Sequence, residues 1–200
     1  MPQVKDAILR KALVCIDEVY PEANSLNAAF FPLEQFIDEA ARFVVNAVPL
    51  RALGAGKEFD KSTLLASSDG SGSISLPPDF IRLLRFRIEG WQRPVVAAIY
   101  DTDIRYSQQF NKTLRGGNSK PVVVICRDLG RLEYYSSSRG SFAKIAESKY
   151  FGYSIMDDTY PLLLVDLTAW KLAELVLSSM NDVPAMQLCA AKVNENMQLL

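Results

Sequence analysis

The sequence predicts an α+β chain: a helical bundle formed by N- and C-terminal helices, with an inserted small antiparallel β module. Three observations predict it. Apolar residues recur at spacings of three and four near both ends of the chain. Between about 74 and 136 the apolar period shortens to two. Residues 51–73, whose end is dominated by glycine, serine and aspartate, separate the first helices from the strands. The expected organisation is a single domain over 1–200, with 1–49 and 157–200 helical, 74–136 the β insertion and 51–73 an exposed loop.

Residues 4–20 place Val4, Ile8, Ala12, Cys15 and Val19 on one stripe, widened by Leu9, Leu13, Ile16 and Tyr20. Pro21 stops that helix. A second helix is expected from about Pro32 to Val48. Proline suits its first turn, and Glu34, Asp38 and Glu39 favour its N-terminal half. Its apolar face is Leu33, Phe36, Ile37, Ala40, Val44 and Ala47, and Pro49 ends it. Phe36, Phe43 and Trp170 read as core, because each lies at helical spacing in an apolar stripe.

Ile74–Leu76 is a short strand. Leu84–Glu89 alternates with period two, placing Leu84, Phe86 and Ile88 inward and Arg85, Arg87 and Glu89 outward. Val95–Tyr100 is a further strand. Pro121–Cys126 is nearly all apolar and is therefore expected in the middle of a sheet. Arg131–Ser136 follows the turn Asp128-Leu129-Gly130. Between Tyr100 and Pro121 the first half suits a short helix, and Gly116-Gly117-Asn118 a turn. Residues 137–156 stay ambiguous, with strand or loop around Lys144–Tyr153. Asp157 or Asp158 is placed to cap a helix through YPLLLVDLTAWKLAELVLSSM. Asn181-Asp182 breaks it, and Asp182 caps a last helix from Val183 to about Gln198.

Composition narrows the function. The 200 residues carry 22 basic and 23 acidic side chains, a net charge of −1, so bulk charge gives no basic excess for nucleic acid. The sequence holds no histidine. That removes Ser-His-Asp and Cys-His schemes and lowers the expectation of an enzyme. Cys15, Cys126 and Cys189 stand apart beside apolar neighbours, the pattern of buried free thiols in a reducing compartment. The N-terminal MPQVKDAILRKALV has charges through its apolar run and no small-residue cleavage site, so no signal peptide is expected. No apolar run is long enough for a membrane span, and a soluble protein is expected.

Two segments invite chemistry and do not support it. LGAGKEFDKST at 53–63 resembles a phosphate loop, but position 51 is Arg where the motif needs Gly, and Glu58 follows the lysine where it needs Ser or Thr. Asp101 and Asp103, like Asp157 and Asp158, lack metal-loop spacing and suit helix caps. No catalytic, cofactor-binding or metal site is therefore expected. The densest basic-aromatic group is Arg82, Arg85, Arg87 and Arg93 with Trp91. It reads as a solvated strand face, a protein interface, or a nucleic-acid surface with arginines on phosphates.

A succession of residues adds a resemblance. Leu76, Pro77, Asp79 and Phe80 precede an arginine-bearing strand, then Gly90, Trp91, Arg93, Pro94 and Val95. Tyr106, Gln109, Asn111, Arg115, Gly116 and Gly117 follow, then Lys120-Pro121-Val122, and last the tail LTAWKLAELVLSS and AAKVNE. This succession resembles the head-to-tail adaptor (connector or ring) proteins of short-tailed bacteriophages, including the crAss-like group, and the related tail tubular proteins. At residue level the resemblance lies within 76–95 and 106–122. It implies a helical bundle with a β-rich insertion, forming a twelve-fold homo-oligomeric ring beneath the portal protein, at the head-tail junction of the virion. DNA would pass through the lumen without sequence-specific binding. Other ring or tail proteins would be partners, and no membrane, cofactor or catalysis would be involved. Interface candidates are Arg82, Arg85, Arg87, Trp91, Arg93, Tyr106, Gln109, Asn111 and Arg115, with the loop at 51–73 and the C-terminal helix ending MQLL as further docking elements. A nucleic-acid-binding module using the arginine strand, and a histidine-free enzyme acting through Asp and Lys, stay open beside it.

Overall fold

The computed structural model describes residues 3–19, 31–135, 139–152 and 160–200. The chain is α+β. Its elements run α1 (Gln3–Val19), α2 (Leu33–Ala47), β1 (Lys57–Glu58), β2 (Leu65–Ala66), β3 (Gly72–Ser75), β4 (Phe80–Ile88), β5 (Ile99–Tyr100), α3 (Ile104–Gln108), β6 (Val123–Cys126), β7 (Arg131–Tyr134), β8 (Ile145–Gly152), α4 (Val165–Ser179) and α5 (Val183–Gln198). The chain divides into two compact units: a helical unit, Met1–Gly54 with Tyr153–Leu200, and a β unit, Ala55–Gly152.

In the helical unit α4 packs against α1, α2 and α5. Leu167, Trp170, Leu172, Ala173, Val176 and Leu177 bury most of its circumference, as expected of a helix that is apolar nearly all round. α1 contributes Val4, Ile8, Ala12, Cys15 and Ile16, and α2 contributes Leu33, Ile37, Ala40, Val44 and Val45. Pro49 ends α2 by forcing Val48 into an extended conformation. Phe43 is a correction: it is exposed, and the Lys171 ammonium lies 4.2 Å from its ring centroid. Its place on α2 lies just off the buried stripe. Between α4 and α5, Asn181 takes a left-handed φ of 60°, and the Asp182 N–H reaches back to the Leu177 carbonyl. The Asp182 carboxylate then accepts from the Ala185 N–H at 3.1 Å and caps α5. α4 itself begins after a tight turn at Leu162–Leu164. The expected caps Asp157 and Asp158 lie outside the described residues. Among the described residues no helix is long and apolar enough to cross a membrane.

Among the described residues the β unit holds two sheets. One is antiparallel in the order β1-β8-β4. The other runs β2-β3-β7-β6-β5 and is mixed, because β5 pairs parallel to β6. Leu83, Phe86, Ile88 and Tyr150 of the first share one core with Ile74, Val123, Leu132 and Tyr134 of the second. On the opposite face of the second sheet, Ile99, Val124, Cys126 and Tyr135 form another cluster with Tyr106. β6 is thus buried on both faces, as its uniform apolarity predicts.

Four expectations change. Residues 51–73 are not a loop alone: they hold β1, β2, the start of β3 and two tight helical turns. Strands of two residues are too short to register as a period. β4 does not alternate strictly, since a register shift between Leu83 and Arg85 puts Leu83 on the core face with Phe86. Val95–Tyr100 is not one strand. Val95 makes an isolated bridge to Phe86, and only Ile99-Tyr100 continues as strand. The ambiguous segment from Ile145 is the long strand β8, at the middle of its sheet.

Candidate functional site

Two arginines of the β4 strand share one carboxylate of its neighbour. β4 pairs with β8 so that Arg87 stands opposite Glu147. The Arg87 Nε lies 2.8 Å from one oxygen of that carboxylate, and Arg85 donates to the other at 3.2 Å. Lys149, on the same strand, pairs with Glu58 at 3.3 Å. Arg82 is half-buried, and desolvation lowers its pKa. Trp91 is a further correction. It is only 3% exposed and packs edge-on against Phe86 and Tyr134 at 6.1 and 6.3 Å. The turn after β4 folds the indole into the core between the sheets, so Trp91 is unavailable as an interface anchor.

The corner before β4 is locked by one carboxylate. Asp79 accepts from the Lys57 ammonium at 2.8 Å and the Tyr150 hydroxyl at 3.1 Å. Burial acts to raise its pKa, but these two bonds outweigh it and hold the carboxyl below its ordinary value. Lys57, the lysine of the phosphate-loop look-alike, is thus committed to an internal pair. Gly56 lies against the Tyr150 carbonyl, where no side chain fits.

The second group, Tyr106 to Arg115, is α3 and the loop after it. It is fastened to the second sheet by Glu133, which is 8% exposed. One carboxylate oxygen accepts from the hydroxyls of Tyr135 at 2.6 Å and Tyr106 at 3.2 Å. The other accepts from Arg131 Nε at 2.8 Å. Burial and the Glu133 charge push the Tyr106 phenol up to about 12, and Tyr135 is raised for the same reasons. A carboxylate saturated in this way acts as a structural clamp.

Gln109 is also inward, at 3% exposure, and corrects the expectation of an interface side chain. Its amide donates to the Arg105 carbonyl and accepts from the Gly116 N–H, both at 3.0 Å. Arg115 pairs with Asp69 at 3.3 Å. Hydrogen bonds from the Ser71 hydroxyl and N–H, then from Ser67 and Arg115, hold Asp69 well below the usual carboxylate range against its partial burial. Asn111 is exposed and accepts from the Thr113 N–H at 2.9 Å. Asp103 caps α3 and grips Arg105, which brings its pKa down to about 2. A cleft of about 390 Å³ lies between this loop and the sheet, lined by Leu65, Ser73, Phe110, Arg115, Glu133 and Tyr135. Of its charged walls, Arg115 pairs with Asp69 and Arg131 with Glu133, while Lys112 has no ion pair among the described residues.

Of the nine interface candidates, then, Arg85, Arg93 and Asn111 are exposed, while Trp91 and Gln109 are buried. What the sequence reading missed is a segregation of charge. The helical unit holds thirteen acidic and seven basic residues, a formal −6, and the β unit ten acidic and fifteen basic, a formal +5. The two cancel to the −1 of the whole chain. The signal was countable, but only once the boundaries near 55 and 152 were known. No family model matches the chain, and no curated protein matches it in sequence.

Proposed function

We propose that this chain is a virion structural protein, a ring-forming adaptor between portal and tail of a short-tailed bacteriophage, without catalytic activity. The observation that carries the reading is the residue succession at 76–95 and 106–122, set in a β unit that interrupts a bundle made from both chain ends. The chemistry of these segments supports it. Their carboxylates, Asp79 and Glu89, and three of their arginines, Arg85, Arg87 and Arg115, are spent on fastening strands and loops to one another. In this reading the ring is held by interfacial burial, and DNA passes without tight phosphate contacts that would retard it. Arg85 and Arg87 share Glu147, which weakens their hold on a passing duplex.

The test is the mass of the purified chain alone and with a portal protein. A large closed oligomer in either condition is the expected result. A strict monomer that stays monomeric beside a portal overturns the reading. Titration with duplex DNA across a salt series separates the nucleic-acid alternative, which requires sub-micromolar binding with a steep salt slope.

A further inference from the structure

Two surfaces of this chain are electrostatically incomplete, and they are of opposite sign. The first lies at the end of β4. The Glu89 N–H bonds the Lys144 carbonyl at 2.9 Å, and the Gln92 N–H bonds the Asn118 carbonyl at 3.0 Å. These bonds draw Arg93, Lys120 and Lys144 around one turn. All three are exposed, and none has an ion-pair partner among the described residues. Phe142 stands beside them in sequence, 81% exposed. The one carboxylate of the turn, Glu89, is taken by Arg139 at 3.0 Å.

The second surface is the end of α1. Asp17 and Glu18 are exposed in its last turn, which holds no basic residue. A helix C-terminus carries partial negative charge, so carboxylates there are unfavourable and a cation is the missing complement. The chain that follows, residues 20–30, contains no lysine or arginine.

We infer that the Arg93–Lys120–Lys144 edge of one copy docks on the Asp17–Glu18 end of α1 in the next copy, a head-to-tail contact between two different patches. Such a contact propagates, and it closes into a ring where the rotation allows. The net charges of the two units, +5 and −6, favour the same pairing at longer range. The inference rests on the adaptor reading and names its subunit contact.

The test is sedimentation of the full chain at low and high salt, with two charge-reversed variants: R93E/K144E and D17K/E18K. Self-association of the natural chain should fall as salt rises. Each variant alone should associate about tenfold more weakly or worse. An equimolar mixture of the two should recover, because alternating copies restore opposite charges at every contact. D17K/E18K should meanwhile melt higher than the natural chain, since lysines suit a helix C-terminus. A loss of assembly with a gain of stability cannot arise from misfolding.

Association that ignores both reversals overturns the inference and leaves the adaptor reading standing. A natural chain that stays monomeric at low salt also overturns it, with the portal experiment still deciding the adaptor reading. If R93E/K144E abolishes salt-dependent DNA binding and leaves self-association unchanged, the basic edge serves nucleic acid and the inference fails.

Discussion

At position 72 only a hydrogen fits. Gly72 pairs with Tyr134 across β3 and β7, and the tyrosine ring lies over the glycine. A Cβ there would collide with the Tyr134 hydroxyl and the Leu65 carbonyl, closer than real Cβ atoms come. The tyrosine is fully buried among Phe86 and Trp91, and the carbonyl is backbone, so neither can retreat. Gly72→Ala should cost about 2 kcal/mol by overpacking. Gly117→Ala, where a Cβ meets nothing within 4 Å, should change stability by less than about 0.5 kcal/mol. Denaturant midpoints followed at Trp91 decide it, and equal midpoints for the two variants would refute the packing argument. Trp91 itself marks the limit of residue-level reading. A tryptophan after a glycine turn suits an exposed hot spot and a core anchor equally, and only the opposing sheet, distant in sequence, decides between them.

At the scale of elements, the helices were legible and the short strands were not. α1, α2 and α5 announce themselves by period and by proline or Asp boundaries. β8 hides because one parity of its residues mixes Ile145 and Phe151 with Glu147 and Lys149, while the other mixes Ala146, Ser148 and Gly152 with Tyr150. No alternation of hydropathy survives that arrangement. The α4–α5 junction is the opposite case, where local chemistry suffices. Asn181 supplies the left-handed residue, Asp182 the cap, and Pro184 lacks an N–H in a turn where none is needed. Asp182→Ala should therefore destabilise the helical unit by about 1 kcal/mol, and Asp182→Asn should be close to neutral. Urea titration followed at Trp170 measures both. An asparagine variant as weak as the alanine one would show that charge, rather than the cap hydrogen bond, is at work.

At the scale of the whole molecule, neither the division into two units nor their opposite charges could be read from a net charge of −1. Sequence reading placed both chain ends in one helical body, yet it drew the insertion as 74–136, short of the Ala55–Gly152 unit at both ends. The missing margins are held by tertiary bonds such as Lys57 to Asp79, which no local pattern encodes. The same bonds set the acid stability of the β unit. Asp69, Asp79 and Asp103 all lie in it, and their partners hold each below its ordinary pKa. A carboxyl depressed in the folded state adds stability that is complete above its unfolded pKa, near about 4, and is lost as pH falls through the folded value. The window therefore opens as pH falls below about 4 for all three carboxyls, and for Asp103, paired only with nearby Arg105, it runs down to about 2. The two tryptophans allow each unit to be followed alone, because Trp91 belongs to the β unit and Trp170 to the helical one. In a Trp170→Phe chain, Trp91 emission during acid titration should report loss of β-unit packing within that window. Replacing Asp79 by Asn should weaken the β unit at neutral pH and flatten its pH dependence, since the charged partner of Lys57 is gone at every pH. An unchanged acid profile in the Asn variant would mean that Asp79 contributes nothing to the acid sensitivity of this unit.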